Sequence, residues 1–369
     1  MRTVGPRVAH FSALAICLGA IAWASPLPPR VTDRDVYEAT AAHGVVRDCS
    51  DLHCFRVLVP WILGPLPGPS LVKWKAYAVV CNAAAAVAVF ALSLTLGLGR
   101  RAAWFASIGS AFGFGSLYTL HDVYTSDPLI YLLGPLITNE LLLGRVAIGA
   151  ALGMIGVFAK EFAAAPLYLV TACLAIERRW LPAARTLVAA NAAFIVWLVL
   201  TLTLMLRFNY TYAGSASADL GGGGNLVGWL HRQSARGVAA AMFNEFGALY
   251  VLAPVGFFLA PPQLKRIALT ALPIAALFAY VQQPDRAFWN IHFLVLPLAA
   301  VVLDRAPAIG VLTLAMFAVG NLRVGAQLPI AWLGRLALGA SMLLALATSV
   351  RALRPSRGSI GAAGTAVSG

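Results

Sequence analysis

The stretch Asp33-Arg34-Asp35-Val36-Tyr37-Glu38 sets three carboxylates within six residues. Carboxylates this close repel one another, and partial desolvation at a membrane surface raises the pKa of at least one, so the run can hold a divalent cation or accept a proton. A solvated loop ending in a helix N-cap would show the same residues. The stretch His121-Asp122-Val123-Tyr124-Thr125-Ser126-Asp127-Pro128 offers two more acids. Asp127 before a proline is also what an N-cap followed by Pro in the first helical turn looks like, and a carboxylate held at a helix start is well placed for chemistry too. Lys160-Glu161 interrupts an otherwise apolar run from Val146 to Ile176. Charges in such a run face a partner or an aqueous cavity, which suits Lys160 as a phosphate ligand oriented by Glu161; the plainer alternative is a short turn at the membrane surface. Arg56 and Arg286 can reach a phosphate or lipid headgroups from the interface. His292 follows Asp285-Arg286-Ala287-Phe288-Trp289-Asn290 and is expected near a helix end, as a supporting or merely bundle-bonded group.

These residues need elements to hold them, and composition decides which. Of 369 residues, 60% are apolar and 11% charged, too few charges to solvate a soluble domain of this size. The surplus apolar surface must face lipid, where backbone polar groups have to be paired internally, so the expected fold is all-α, a polytopic transmembrane bundle. Apolar runs predict twelve helices, near 8–25, 76–99, 102–120, 128–144, 146–159, 162–176, 186–206, 246–260, 267–283, 287–303, 306–320 and 328–350. The two runs beside Lys160 are short for a bilayer and are expected to be re-entrant or packed inside the bundle. Residues 1–355 form one transmembrane domain in this reading, and the Gly/Ala-rich tail 356–369 is expected to be disordered.

The net charge of +13 does not point to nucleic acid, because the basic residues lie in small clusters between apolar runs. With the N-terminus in the cytoplasm, Arg2, Arg7, Arg100, Arg101, Arg145, Arg178, Arg179, Arg185, Lys265, Arg266, Arg305, Arg351, Arg354 and Arg357 all fall on the cytoplasmic side. Glu140, Glu177 and Asp304 accompany them, which leaves the other eleven of 14 acids outside. Short basic loops mark the cytoplasm, so both termini are expected there. The long outer segments are then 26–75 and 207–245. The first contains Phe55–Leu66, too short to span and closed by Pro65-Leu66-Pro67-Gly68-Pro69, expected as an interfacial helix. It also holds Cys49 and Cys54, as a local disulfide or two free thiols. Gly221 to Gly224 in the second lack a following Gly-Lys-Ser/Thr and read as a hinge. Arg2, Arg7 and Ala22-Trp23-Ala24 fit a cleavable signal peptide as well as a retained first helix; the retained helix is expected.

The acidic pair in the first outer loop, the arginine-led stretch Phe55-Arg56-Val57-Leu58-Val59-Pro60-Trp61, Asp127-Pro128 opening a later helix and Lys160-Glu161 between two short helices together resemble the bacterial polyprenyl-phosphate-sugar-dependent glycosyltransferases of the GT-C type. The resemblance implies an acidic residue or pair in the first outer loop as catalytic base or metal ligand. It carries over onto Asp35, with Asp33 as alternate or metal-sharing partner and Tyr37 in support. It implies basic residues near the outer surface for the lipid phosphate, a role open to Lys160 or Arg56; Glu161, Asp127 and His292 are expected in support from their own placement. Partners would be a lipid-linked sugar donor, membrane lipids and an unidentified acceptor, with a divalent ion as the one cofactor to consider. These 369 residues hold no counterpart of the large soluble C-terminal domain with which many relatives recognise acceptors. A transporter or flippase of lipid-linked sugars, or a non-catalytic membrane subunit, is the competing reading; a transporter would more readily show repeat symmetry and mid-bilayer charges.

Overall fold

The computed structural model describes residues 4–28, 33–211, 245–281, 288–325 and 331–354, with positions 236, 239 and 243. Asp219, Gly221 to Gly224, Asp285, Arg286 and the tail 356–369 lie outside the described residues. Regular structure among the described residues is helical throughout. The chain runs through α1 (Val4–Ala24), α2 (Arg34–His43), a 3-10 turn (Leu52–Phe55), α3 (Leu58–Leu63), α4 (Ser70–Thr95), α5 (Arg100–Ala111), α6 (Phe114–His121) and α7 (Asp127–Leu142). It continues through α8 (Val146–Gly156), a second 3-10 turn (Glu161–Ala164), α9 (Ala165–Ile176), α10 (Trp180–Phe208), α11 (Leu249–Leu259) and α12 (Pro262–Val281). A third 3-10 turn (Phe288–Ile291), α13 (His292–Arg305), α14 (Pro307–Gly325) and α15 (Ala331–Leu353) complete it.

Each of the twelve expected runs contains a helix, and the differences have local causes. The run 102–120 splits into α5 and α6 because Gly113 and Gly115 admit the indole of Trp289; a Cβ at Gly115 would stand 2.1 Å from Trp289 Cδ1. Helix α4 begins at Ser70, so Trp74 and Lys75 are helical rather than part of an outer loop, and α10 begins at Trp180, which takes Arg185 into the helix. The interfacial stretch 55–66 contracts to the six residues of α3.

Helices α1, α4, α10, α14 and α15 are long and apolar enough to cross a membrane. Helix α4 is the centre: its alanine-rich face, with Ala78, Ala83, Ala85 and Ala86 buried, lets α1, α5 and α7 approach closely, which is how helices associate where lipid removes the hydrophobic drive. Helix α10 lies at the edge and shows a stripe of Val188, Ile195, Val199 and Leu206. Exposed aliphatic rows of this kind belong against acyl chains, not water. The protein is therefore a polytopic membrane helix bundle.

Its two ends differ. At one, the three acids that accompany the basic clusters are each paired: Glu140 with Arg145 at 3.1 Å, Glu177 with Arg266 at 3.1 Å, and Asp304 with Arg101. The opposite end carries α2 and α3, laid over the helix ends and pinned there. Leu58 N donates to Phe158 O at 3.0 Å, Asp48 N to Phe208 O and Thr211 N to Cys49 O, both at 2.9 Å. Asn209, left-handed at φ 58°, ends α10 and donates to the Asp48 carboxylate at 2.7 Å. Cys49 and Cys54 form a disulfide, and Phe55 packs edge-on against Tyr210.

Candidate functional site

Helix α2 decides which of the clustered acids can act together. Residues four apart share a helical face and residues two apart do not, so Asp33 lies above Tyr37 while Asp35 turns away. Tyr37 is fully buried against Trp74, and Asp35 is exposed. The resemblance sets Tyr37 in support of Asp35; on the helix Tyr37 shares a face with Asp33. The third acid, Glu38, is occupied, accepting from Arg34 Nε at 3.1 Å and from the Tyr124 hydroxyl at 3.1 Å. Burial works against its charge, but bonds from Ser70, Arg34 and Tyr124 hold it below the ordinary carboxylate range.

Asp33 occupies the N-cap position of α2 without capping it. Its Oδ2 lies 3.0 Å from Nε2 of His53, whose Nδ1 is 2.6 Å from Oδ1 of Asp51. That Asp51 oxygen also accepts from the His53 backbone N–H at 2.8 Å, capping the first 3-10 turn. The His53 hydrogen bond holds Asp51 below the usual range against the opposing effect of burial.

The second group is buried deeper. Lys160, in extended backbone between α8 and the second 3-10 turn, bonds Asp127 at 2.5 Å, with both side chains almost fully buried. Burial pushes the Lys160 ammonium down and Asp127 opposes it. The N-cap of α7 is Ser126, not Asp127, which is the first helical residue and gives its carboxylate to Lys160. Glu161 does not pair with Lys160 but with Arg56, at 3.6 Å. Arg56 is not an exposed interfacial side chain: it is 6% exposed, and its Nε has no acceptor among the described residues. Burial works against its charge, and Glu161, Tyr37 and Asp127 more than offset that.

Tyr37 joins the two groups. Its buried hydroxyl is within electrostatic reach of Arg56, Asp33 and Asp127, and burial pushes it up to about 12. The structure thus brings Asp33, Tyr37, Arg56, Asp127, Lys160 and Glu161 together and leaves Asp35 at the surface. His292 is elsewhere, buried at the start of α13, its ring stacked on Trp289 at 5.2 Å and edge-on to Tyr131 at 5.6 Å. A small apolar crevice lined by Ile130, Phe162, Leu169, Ile274 and Phe293 opens beside the cluster, where Lys160 Nζ sits 5.6 Å from the centre of the Phe162 ring. Of the two acids considered for a divalent ion, Asp33 faces His53 and Asp35 is exposed on α2, and no group of three His, Cys, Asp or Glu side chains among the described residues is arranged to hold a metal. Sequence reading missed Asp51 and His53. The available signal was an Asx cap two residues before a histidine, inside the Cys49–Cys54 loop.

Fold and site define an all-α membrane protein with a buried cluster of paired ions at one end of its bundle. No protein-family model and no curated protein matches the chain. Among solved structures it is similar to the oligosaccharyltransferase of Archaeoglobus fulgidus in the apo form, at 13% identity and TM-score 0.49, over 94% of this chain and 57% of that one. It is also similar to the same protein tethered through a disulfide bond to an acceptor peptide containing the NVT sequon, at 12% identity and TM-score 0.46, over 94% and 56%. The chain spans a little over half the length of these structures, and at such scores the likeness bears on neither activity nor ligand.

Proposed function

We propose that this protein is a membrane glycosyltransferase that moves a sugar from a polyprenyl-phosphate-linked donor to an acceptor at the extracytoplasmic face of a bacterial inner membrane, with both termini in the cytoplasm. The observation that carries the reading is Arg56. Its guanidinium is buried, its Nε lacks an acceptor, and its carboxylate partner stands at 3.6 Å, beyond hydrogen-bond range. Leaving a buried guanidinium donor unmade costs more than an ordinary missing bond, and a phosphate oxygen would satisfy it. The disulfide in the Arg56 loop supports an oxidising compartment on that side.

In this reading the donor phosphate takes the open donors of Arg56, with Lys160 behind it held by Asp127. Asp33, rather than Asp35, accepts the acceptor hydroxyl proton as the oxygen bonds to the anomeric carbon. The bond from that carbon to the phosphate oxygen breaks, and its electron pair leaves on the phosphate, where Arg56 stabilises the charge. Asp33 is preferred because it shares a face with Tyr37 and adjoins the Arg56 loop, whereas Asp35 points to solvent.

The test is sugar transfer from a panel of polyprenyl-phosphate sugars by the purified protein in liposomes. Asp33→Asn is expected to lower turnover by roughly 10²-fold or more, the scale of a lost general base, at unchanged melting temperature, while Asp35→Asn retains most activity. Loss with Asp35→Asn alone would return the base to Asp35. Absence of both transfer and polyprenyl-phosphate binding in the unmodified protein would end the glycosyltransferase reading.

A further inference from the structure

The ring of His53 is fixed from both sides. Asp51 accepts from the His53 backbone N–H and faces Nδ1 with the same oxygen, so that oxygen is fixed on the turn and the ring cannot flip without losing it. The 3-10 turn that carries it is closed by the Cys49–Cys54 disulfide and docked on residues 208–211. Tyr37 covers one side of the ring, edge-on at 5.8 Å. The nitrogen presented to Asp33 is therefore set by Asp51. Nδ1 thus faces Asp51 and Nε2 faces Asp33, one carboxylate at each ring nitrogen.

We propose that His53, oriented by Asp51, is a positioning residue for Asp33. It holds the carboxylate at 3.0 Å from Nε2, out of the capping position of α2, and directs it toward the Tyr37 and Arg56 face. This rests on the glycosyltransferase reading for its catalytic meaning but not for its geometry. When Asp33 takes the acceptor proton, it does so on Oδ1, the oxygen that His53 does not hold, and that proton returns to solvent when product leaves. No further reactant is needed. An aspartate left to cap its own helix would face the amides rather than the substrate.

Two variants separate this role from mere packing, because each keeps one half of the imidazole. His53→Gln retains a donor near the Nε2 position, facing Asp33. His53→Asn retains one near Nδ1, facing Asp51. The first readout needs no substrate: carbodiimide labelling of Asp33 in the full-length protein, quantified by mass spectrometry. Labelling should rise several-fold in His53→Asn and stay near the unmodified level in His53→Gln. Equal labelling in all three proteins would overturn the proposal. In the transfer assay, His53→Asn should lower kcat by roughly 10-fold or more with donor KM little changed, and His53→Gln should recover most of it. Recovery by Asn and not by Gln would make His53 a packing residue of the turn and sink the idea. Should the unmodified protein transfer no sugar while Asp33 still labels as expected, the glycosyltransferase reading fails and the positioning stands.

Discussion

Lys160 shows how one neighbour changes the meaning of a residue. Seen as an isolated charge in an apolar run, it invites substitution by methionine with little loss of stability, since the apolar stem is kept. Paired with Asp127 at 2.5 Å in a buried site, it cannot be removed so cheaply. Lys160→Met strands a carboxylate away from water, and breaking one side of a buried pair costs about 3–5 kcal/mol. The melting midpoint of Lys160→Met should therefore fall clearly, and the double variant Lys160→Met with Asp127→Leu should recover most of the loss, because the second change removes the stranded charge. A scan in one detergent checks both; an unaltered midpoint in the single variant would mean that the pair is not formed. Asp127 and Asp33 teach the same lesson. Both stand at helix starts, where sequence suggests capping, and both give their carboxylates to distant side chains instead.

At the scale of elements, the apolar runs were legible because each helix carries its own signature. The pairing of short polar segments was not. Nothing near Arg56 in sequence marks Glu161 as its partner; the contact exists because Leu58 bonds to the carbonyl that α8 leaves open at Phe158. That junction depends on Gly156, where a Cβ would stand 2.6 Å from Ala163 Cβ and 2.7 Å from Leu133 Cδ1. A Gly156→Val protein should lose donor binding and thermal stability together, because the turn carrying Lys160 and Glu161 must shift to admit the side chain. Gly339→Ala, which opens onto free space, is the control and should be silent in both measurements. Helix α2 is a case in between. Its helical period alone places Tyr37 four residues on from Asp33 and on the same face, so that pairing is written in the sequence, whereas the contact of Asp33 with His53 is not.

For the whole molecule, charge asymmetry is the property most directly readable from sequence. The basic clusters with their three paired acids gather at one end, and the acidic stretches with α2 and α3 at the other. On the positive-inside rule we propose that the first end is cytoplasmic. After the exposed Cys17 is replaced by serine, a cysteine at Leu66 should react with an impermeant maleimide in intact cells, and one at Leu181 should react only after permeabilisation. The reverse pattern would invert the bundle and move the proposed site to the cytoplasm.

The clamp between the Cys49–Cys54 loop and the end of α10 also sets an order of events during synthesis. Asp48 and Asn209, which it joins, lie 161 positions apart, whereas the disulfide closes a separation of only 5. Chains are made from the N-terminus at a few residues per second, so the small ring can be oxidised while most of the bundle is still inside the ribosome or the translocon. The loop carrying His53 and Arg56 is then a finished part, made early and kept waiting, and the tenth helix is the surface on which it is finally mounted.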